Sequence, residues 1–538
     1  MDGGETVGDF APPPRRQVVL SLVCVGLAMF LAALSQTVVA SIMTSIVADL
    51  GGFDRYTWPA TSYLVAATVA YPIVGRLSDI YGRRAFLIAG IAIFIVGSAL
   101  VGVSASMNQV IAFRLVQGIG GGIVMTCSYV SIADLFRPED RGKFVGVLGA
   151  LYAVATVVGP IMGAFVAEWL SWHWVFLFIA LAGVPVLALT AWIYPRSVLL
   201  TRAEGLDYPG MAALVLAVAP VALALSSVGV LYSWDAPQVI GLLAFGLAMA
   251  GLFVAIESRS RSPIMPLGIY RDRAVAVAMV ITLLTAASLH GFVLFLPLYF
   301  QVALGASVFQ AGSLLAPMLL GIVVGAILAG QMLSRVGGHY RLQALVSTAL
   351  MAGGMYLFST LGDGGGFARN RSVLYSQLYL MVTALGFGGV VATLSVAVQN
   401  AVPYRDVGVA TAALQFSRSL GGMMGLAITG VVMVQRFRLG VEAAVPDDLG
   451  AVLPTGLLAA VKDDPRALLD PATARALRES LAETGMGDVM VADRLLNQLN
   501  LALTDALSDV FTVLWIAVAL SFAAALCLRV RNEDGQRQ

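Results

Sequence analysis

The run GRLSDIYGRR, Gly75 to Arg84, places Arg76, Asp79, Arg83 and Arg84 between two apolar stretches. Asp79 lies where it can face an arginine or the N-terminus of a helix, whose unpaired amides favour an anion. Gly75 and Gly82 permit a tight turn and a close approach of helices. A contact of that kind can form in one arrangement of two bodies and break in another, so a latch is the sharper expectation. The plainer one is a basic loop that fixes topology.

Other polar groups sit inside apolar runs. Arg114 is one of them, at a depth where an arginine costs roughly 2.5–3.5 kcal/mol on insertion scales. It must face a protein interior or snorkel outward. Arg418 lies deeper along its own run and should line a cavity or bond neighbouring carbonyls. His290 is the one mid-run group that titrates near neutral pH; the alternative for it is a hydrogen bond between helices. Ser35, Gln36, Thr37, Gln117, Gln301, Gln399, Asn400 and Gln415 are candidates for a cavity wall, or for polar glue between helices. Phosphate-cradling loops, metal-ligand clusters and nucleophile–base pairs are missing, so neither an enzyme, a cofactor nor a metal is expected.

The elements that carry these groups follow from composition. Hydrophobic residues make up 59% of the chain and charged ones 12%, about half the share usual in soluble domains. Mean hydropathy is +0.88. A net charge of +1 gives no reason to expect a nucleic-acid partner. Fourteen segments are long and apolar enough to cross a bilayer, near residues 18–40, 57–74, 85–103, 110–133, 144–166, 175–194, 211–231, 239–256, 274–300, 311–333, 342–361, 374–398, 409–434 and 507–530. In lipid each must be a helix, because only a helix bonds its own backbone. Every second connection is basic: Arg15 and Arg16, then Arg76, Arg83 and Arg84, then Arg137, Arg141 and Lys143, and so on to Arg529 and Arg531. The expected topology therefore has both termini in the cytoplasm. The opening MDGGETVGDFAPPPRR is acidic and then proline-rich, unlike a cleaved signal, so the first apolar run is expected to be retained. One connection is long: residues 435–506 are polar, with pieces of helical spacing, and by parity lie outside. Cys24, Cys127 and Cys527 fall in apolar runs and read as small core residues.

The halves of the chain echo each other. GQMLSRVGGHYR, from Gly330 to Arg341, repeats the glycine spacing of Gly75 and Gly82 at Gly330 and Gly337, with Ser334 at the position of Asp79. PEDRG (Pro138 to Gly142) and PYRDVG (Pro403 to Gly408) form a second pair, and GPIMG (Gly159 to Gly163) and LGGMMG (Leu420 to Gly425) a third. Parallel repeats of this kind are expected where two helix bundles rock about a central site. The expected organisation is a tail at 1–17, a six-helix bundle at 18–196, two inserted helices at 211–257, a second six-helix bundle at 274–530 interrupted by the 435–506 loop, and a tail at 531–538.

GRLSDIYGRR resembles the loop between helices two and three of the major facilitator superfamily. RLVQGIGGG (Arg114 to Gly122) resembles its fourth-helix motif, and GALYAVATVVGPIMGA (Gly149 to Ala164) the fifth-helix motif associated with antiporters. Fourteen helices with a long last outer loop, LPLYFQVALGAS (Leu296 to Ser307) and FSRSLGGMMG (Phe416 to Gly425) are similar to the drug:proton antiporter branch of the EmrB/QacA kind. The resemblance implies an all-α integral membrane protein of the major facilitator fold. It further implies that Gly75, Asp79, Gly82, Arg83 and Arg84 latch the outward-open state, that Arg114 takes part in proton coupling, and that Gly159, Pro160 and Gly163 belong to an antiport seam, with Ala164 in place of a usual glycine. FLAALSQTVVASIM (Phe30 to Met43) matches the branch closely, except that Ser35 stands where an aspartate usually does. With that acid missing, His290 is the remaining candidate beside Arg114 for coupling.

The function expected is proton-driven export of hydrophobic or amphipathic small molecules across a bacterial inner membrane, by a monomer whose other partners are lipids and protons. A dedicated exporter of a natural product would look the same in sequence, and a lipid or acyl-chain flippase is the alternative from another class.

Overall fold

Long apolar runs that cannot find backbone partners in lipid close their hydrogen bonds internally, and helices result. The structure is a computed structural model. It describes residues 15–51, 55, 58–136, 138–195, 207–228, 232–260, 262–304, 314–336, 339–359, 369–403, 406–444 and 489–528. Its helices, numbered along the chain, are α1 (Arg15–Leu50), α2 (Trp58–Tyr81), α3 (Arg83–Gly102), α4 (Met107–Leu135), α5 (Pro138–Trp169), α6 (Trp172–Ile193) and α7 (Tyr208–Ser227). The series continues with α8 (Pro237–Glu257), α9 (Arg273–Leu304), α10 (Ala316–Val336), α11 (Tyr340–Ser359), α12 (Arg369–Ala401), α13 (Val407–Ala444) and α14 (Val489–Ala525). Thirteen of these are long and apolar enough to cross a membrane on hydropathy alone. The exception is α2, whose first turns hold Trp58, Pro59, Thr61, Ser62 and Tyr63 and dilute its apolar content. It is nonetheless packed between α4 and α13.

Helices α1–α6 pack on one another, and so do α9–α14. Between them in sequence, α7 and α8 form a hairpin whose α7 lies against both α2 and α13. Val65, Ala222 and Met423 are buried together at that contact. One apolar core runs from the first bundle into the second at the end that carries the arginine-rich connections, through Leu333, Tyr340, Leu394 and Val409. The other half of the second bundle has a separate core. There Phe292, Phe358 and Phe511 meet edge to face, with ring centroids 5.2 Å apart. The two bundles are thus knit together at the basic end.

Two expectations need revision. The stretch 435–506, read as a loop, is helical at both described ends. α13 continues to Ala444 and α14 begins at Val489, and residues 445–488 lie outside the described residues. At 38 and 37 residues these helices reach about 55 Å, well beyond the ~30 Å hydrocarbon layer. Arg436 of α13 and Asp509 of α14 pair at 3.2 Å. Cys24 and Cys127 are core residues as expected, but Cys527 is exposed, because it falls in the turn after α14 rather than inside a packed helix.

Candidate functional site

The turn between α2 and α3 is a single residue, Gly82, with φ of 92°, a left-handed conformation that favours glycine. So tight a turn puts Asp79 and Arg83 on adjacent helix ends. Asp79 Oδ1 accepts a hydrogen bond from Arg83 Nη2 at 2.9 Å, both side chains being buried, and Arg83 also pairs with Asp134 of α4. The Asp79 carboxylate rests on the first turn of α13. A methyl group on Gly408 would land on it, and the Val409 amide faces it. Gly75 makes the approach possible one turn earlier, since a β-carbon there would strike Ala412 and come within 2.9 Å of the Gly408 carbonyl oxygen. Arg84 is directed elsewhere and donates to the Ala191 carbonyl of α6 inside its own bundle.

The second-half repeat answers in kind. Gly142, at the start of α5, lies against Gly330 of α10, where a β-carbon would come 2.8 Å from the Gly330 carbonyl oxygen. Ser334, in the place of Asp79, bonds back to the Gln331 carbonyl of its own helix, at 3.0 Å. Gly337 lies outside the described residues. Each half therefore presents its glycine-bearing helix end to the helix start of the other half: α2 to α13, and α10 to α5. Beside this cross-pairing, Arg141 Nη1 donates to Asn400 Oδ1 at 2.9 Å, and Asn400 Nδ2 donates to the Tyr340 hydroxyl at 2.9 Å. Asn400 is thus a link between bundles at the basic end.

Arg114 is fully buried inside the first bundle and does not snorkel. Its Nε donates to the Pro59 carbonyl at 3.1 Å. Its Nη1 donates to Ser35 Oγ at 3.2 Å, to the Ser35 carbonyl at 3.3 Å and to Gln117 Oε1 at 2.6 Å. Gln117 is held in turn by Ser98 at 2.6 Å, and the guanidinium stacks 4.4 Å from the Tyr63 ring centroid. Every acceptor is neutral, and Nη2 has no hydrogen-bond partner among the described residues. Ser35, singled out by sequence as the missing acid, is the residue that meets the cation.

Towards the second bundle, Arg418 donates to Gln415 Oε1 at 2.5 Å and sits 5.9 Å from the ring centroid of Tyr129, across the bundle interface. The Gln399 amide donates to the Tyr129 carbonyl and to Thr411 Oγ1, each at 3.3 Å. Thr68 and Ser419 hydroxyls meet at 2.5 Å between α2 and α13. The field of Arg418 also reaches Tyr71 and Tyr152, and the Tyr152 hydroxyl donates to Gln36 Oε1 at 3.5 Å. These tyrosines, from α2, α4 and α5, are the functional candidates that sequence reading passes over. Each looks like ordinary apolar filling until the helices are assembled.

His290 lies on α9 of the second bundle. Its Nδ1 lies 2.9 Å from the Ala286 carbonyl of its own helix, and its ring packs on Gly422 of α13. Gln301 likewise bonds its own helix, at the Pro297 carbonyl, 3.2 Å away. Gly159 and Gly163 of α5 form a seam with α1. A β-carbon on Gly159 would come 3.2 Å from the Leu34 carbonyl oxygen, and one on Gly163 would come 2.7 Å from Ser41 Oγ. Pro160 lies within that stretch of α5.

Comparison with known proteins agrees with this architecture. The family model described as Major Facilitator Superfamily matches residues 25–426. The chain is 34% identical over 411 residues to the "Multidrug transporter protein MdtP" of Bacillus subtilis, covering 76% of this chain and 74% of that one. It is 34% identical over 424 residues to "Multidrug resistance protein 3" of the same organism, covering 78% and 80%. Among solved structures, the human organic anion transporter MFSD10 superposes with a TM-score of 0.58 at 17% identity, over 94% of this chain and 100% of that one, which speaks to the fold. The bundles, the cross-paired repeats and these matches together make the chain a multi-pass membrane transporter, not an enzyme, and a member of the Major Facilitator Superfamily.

Proposed function

We propose that this transporter exports hydrophobic or amphipathic small molecules by alternating access, as a proton-coupled antiporter of the fourteen-helix branch typified by EmrB and QacA. The observation that carries the reading is the cross-paired contact at the basic end, a carboxylate on a helix start matched by a glycine on a helix start. Such a contact is small enough to be made and broken as two rigid bundles rock. The names borne by relatives at 34% identity support efflux as the direction. The arginine-rich connections support a reading in which the basic end, and both termini, face the cytoplasm of a bacterium, and in that reading the chain works as a monomer. With the contact made, the central site faces outward.

Coupling uses Arg114 and His290, one in each bundle. Arg114 is a fixed cation whose neighbours rearrange as the bundles move, and His290 is the group able to exchange a proton near neutral pH. Reconstitution decides this: purified protein in liposomes with a pH-sensitive dye inside, given an outward gradient of an amphipathic substrate. Substrate-dependent proton flux supports antiport. Transport without proton flux would leave an exporter driven some other way.

A further inference from the structure

Among the described residues, two arginines inside the bundles, Arg114 and Arg418, have no acidic partner. Arg114 lies two turns into α4 and Arg418 three turns into α13. Their acceptors are Ser35, Gln117, Gln415 and the Pro59 carbonyl, all neutral. The described acids Asp49, Asp79, Asp134, Asp140, Glu168, Glu257 and Glu442 stand in terminal turns of their helices, while along α14 Asp505 is exposed and the half-exposed Asp509 pairs with Arg436. A buried charge without a counter-charge is costly, and the cost is relieved by whatever anion can reach it. Arg114 is sealed. Arg418 is not: it is partly exposed, donates to Gln415 and sits 5.9 Å from the Tyr129 ring centroid across the bundle interface, with Tyr71 and Tyr152 nearby on α2 and α5. Tyrosines supply an apolar wall with hydroxyl donors, which suits an amphiphile carrying an acidic group.

We infer that the central site takes amphipathic anions, with Arg418 pairing their acidic group and the buried Arg114 adding a positive field that disfavours cations. This rests on the efflux reading and narrows it to a substrate class. An arginine fork grips a carboxylate or sulfonate through two parallel bonds, so lysine should be only a partial substitute.

The test compares fluorescein with rhodamine 6G, dyes that share a xanthene ring system and differ in charge. Transport is measured in proteoliposomes of phosphatidylcholine and phosphatidylglycerol under an imposed proton gradient, and binding to the same purified protein by fluorescence anisotropy. The expected wild-type result is a preference of at least tenfold for fluorescein in both measurements. Arg418→Gln should lower fluorescein binding and transport about tenfold or more, and Arg418→Lys should recover part of it. Ser35→Asp, which supplies Arg114 with an internal counter-ion, should reduce or invert the preference. Equal or preferential binding of rhodamine 6G by the wild type would overturn the inference, as would an unchanged preference in both Arg418→Gln and Ser35→Asp. If neither dye is transported, the efflux reading fails, while anisotropy still judges the site: fluorescein binding that depends on Arg418 upholds it, and its absence refutes it.

Discussion

Replacing Asp79 by asparagine should shift the balance between closed and open arrangements at the basic end without unfolding the chain. The carboxylate is buried, bonds Arg83 Nη2 at 2.9 Å and lies on the first turn of α13. A charge at a partly buried helix N-terminus is worth up to about 2 kcal/mol. Asparagine keeps the shape and one acceptor but turns an amide donor toward amides that are themselves donors. Arg83 is not stranded, because Asp134 still pairs with it. A loss of about 1–2 kcal/mol changes the ratio of arrangements by a factor of roughly 5–30. Spin labels at Lys143 and Leu342, exposed residues on opposite bundles at this end, would report it by electron–electron distance measurement. The exposed Cys527 would first be replaced by serine. The long-distance population should rise several-fold and transport should fall, with thermal stability near wild type. An unchanged distance distribution together with full transport would reduce the loop to a topology signal.

Gly408→Ala should reproduce the Asp79→Asn phenotype, since its methyl group would displace the same carboxylate; labelled-distance and transport assays on both variants check this. Arg114→Ala should abolish energised transport, whereas Arg114→Lys keeps part of it by preserving charge without the planar fork; wild-type transport by the alanine variant would exclude a coupling role. Arg84→Ala should spare the balance at the basic end and instead loosen α3 against α6, costing about 1 kcal/mol, read as a lower melting temperature with an unchanged distance distribution.

Much of the architecture is legible in the sequence because lipid leaves so few choices. An apolar run of some twenty residues has to be a helix, and glycine spacing marks where two helices come close. The close approach at Asp79 is legible for the same reason: a carboxylate flanked by glycines and arginines has few uses between two membrane spans. The partners of each group are not legible. Ser35 can be recognised as a departure, but its contact with Arg114 depends on how α1 packs against α4. Asn400 looks like a cavity residue until folding brings it to Arg141, 259 positions away. The tyrosines around Arg418 sit on three helices, and no local pattern links them. The projecting ends of α13 and α14 escape notice because their polar residues score as loop, although the helix continues.

The cross-pairing of the repeats is symmetric in geometry and unequal in strength. On the side of α2 and α13 a charged group is seated on a helix start. On the side of α5 and α10 the corresponding helix end offers Ser334, which turns back on its own helix, and closeness comes from Gly142 against Gly330. In the proposed rocking motion the first side would work as a clasp, sensitive to charge, and the second as a hinge, held by close-range attraction over a smooth surface. A clasp releases all at once and a hinge turns, so the bundles would part first between α2 and α13. That is the side on which the α7–α8 hairpin lies. In that motion the α7–α8 hairpin would stand at the doorpost of the gap, where an amphiphile arriving from the lipid would have to pass it.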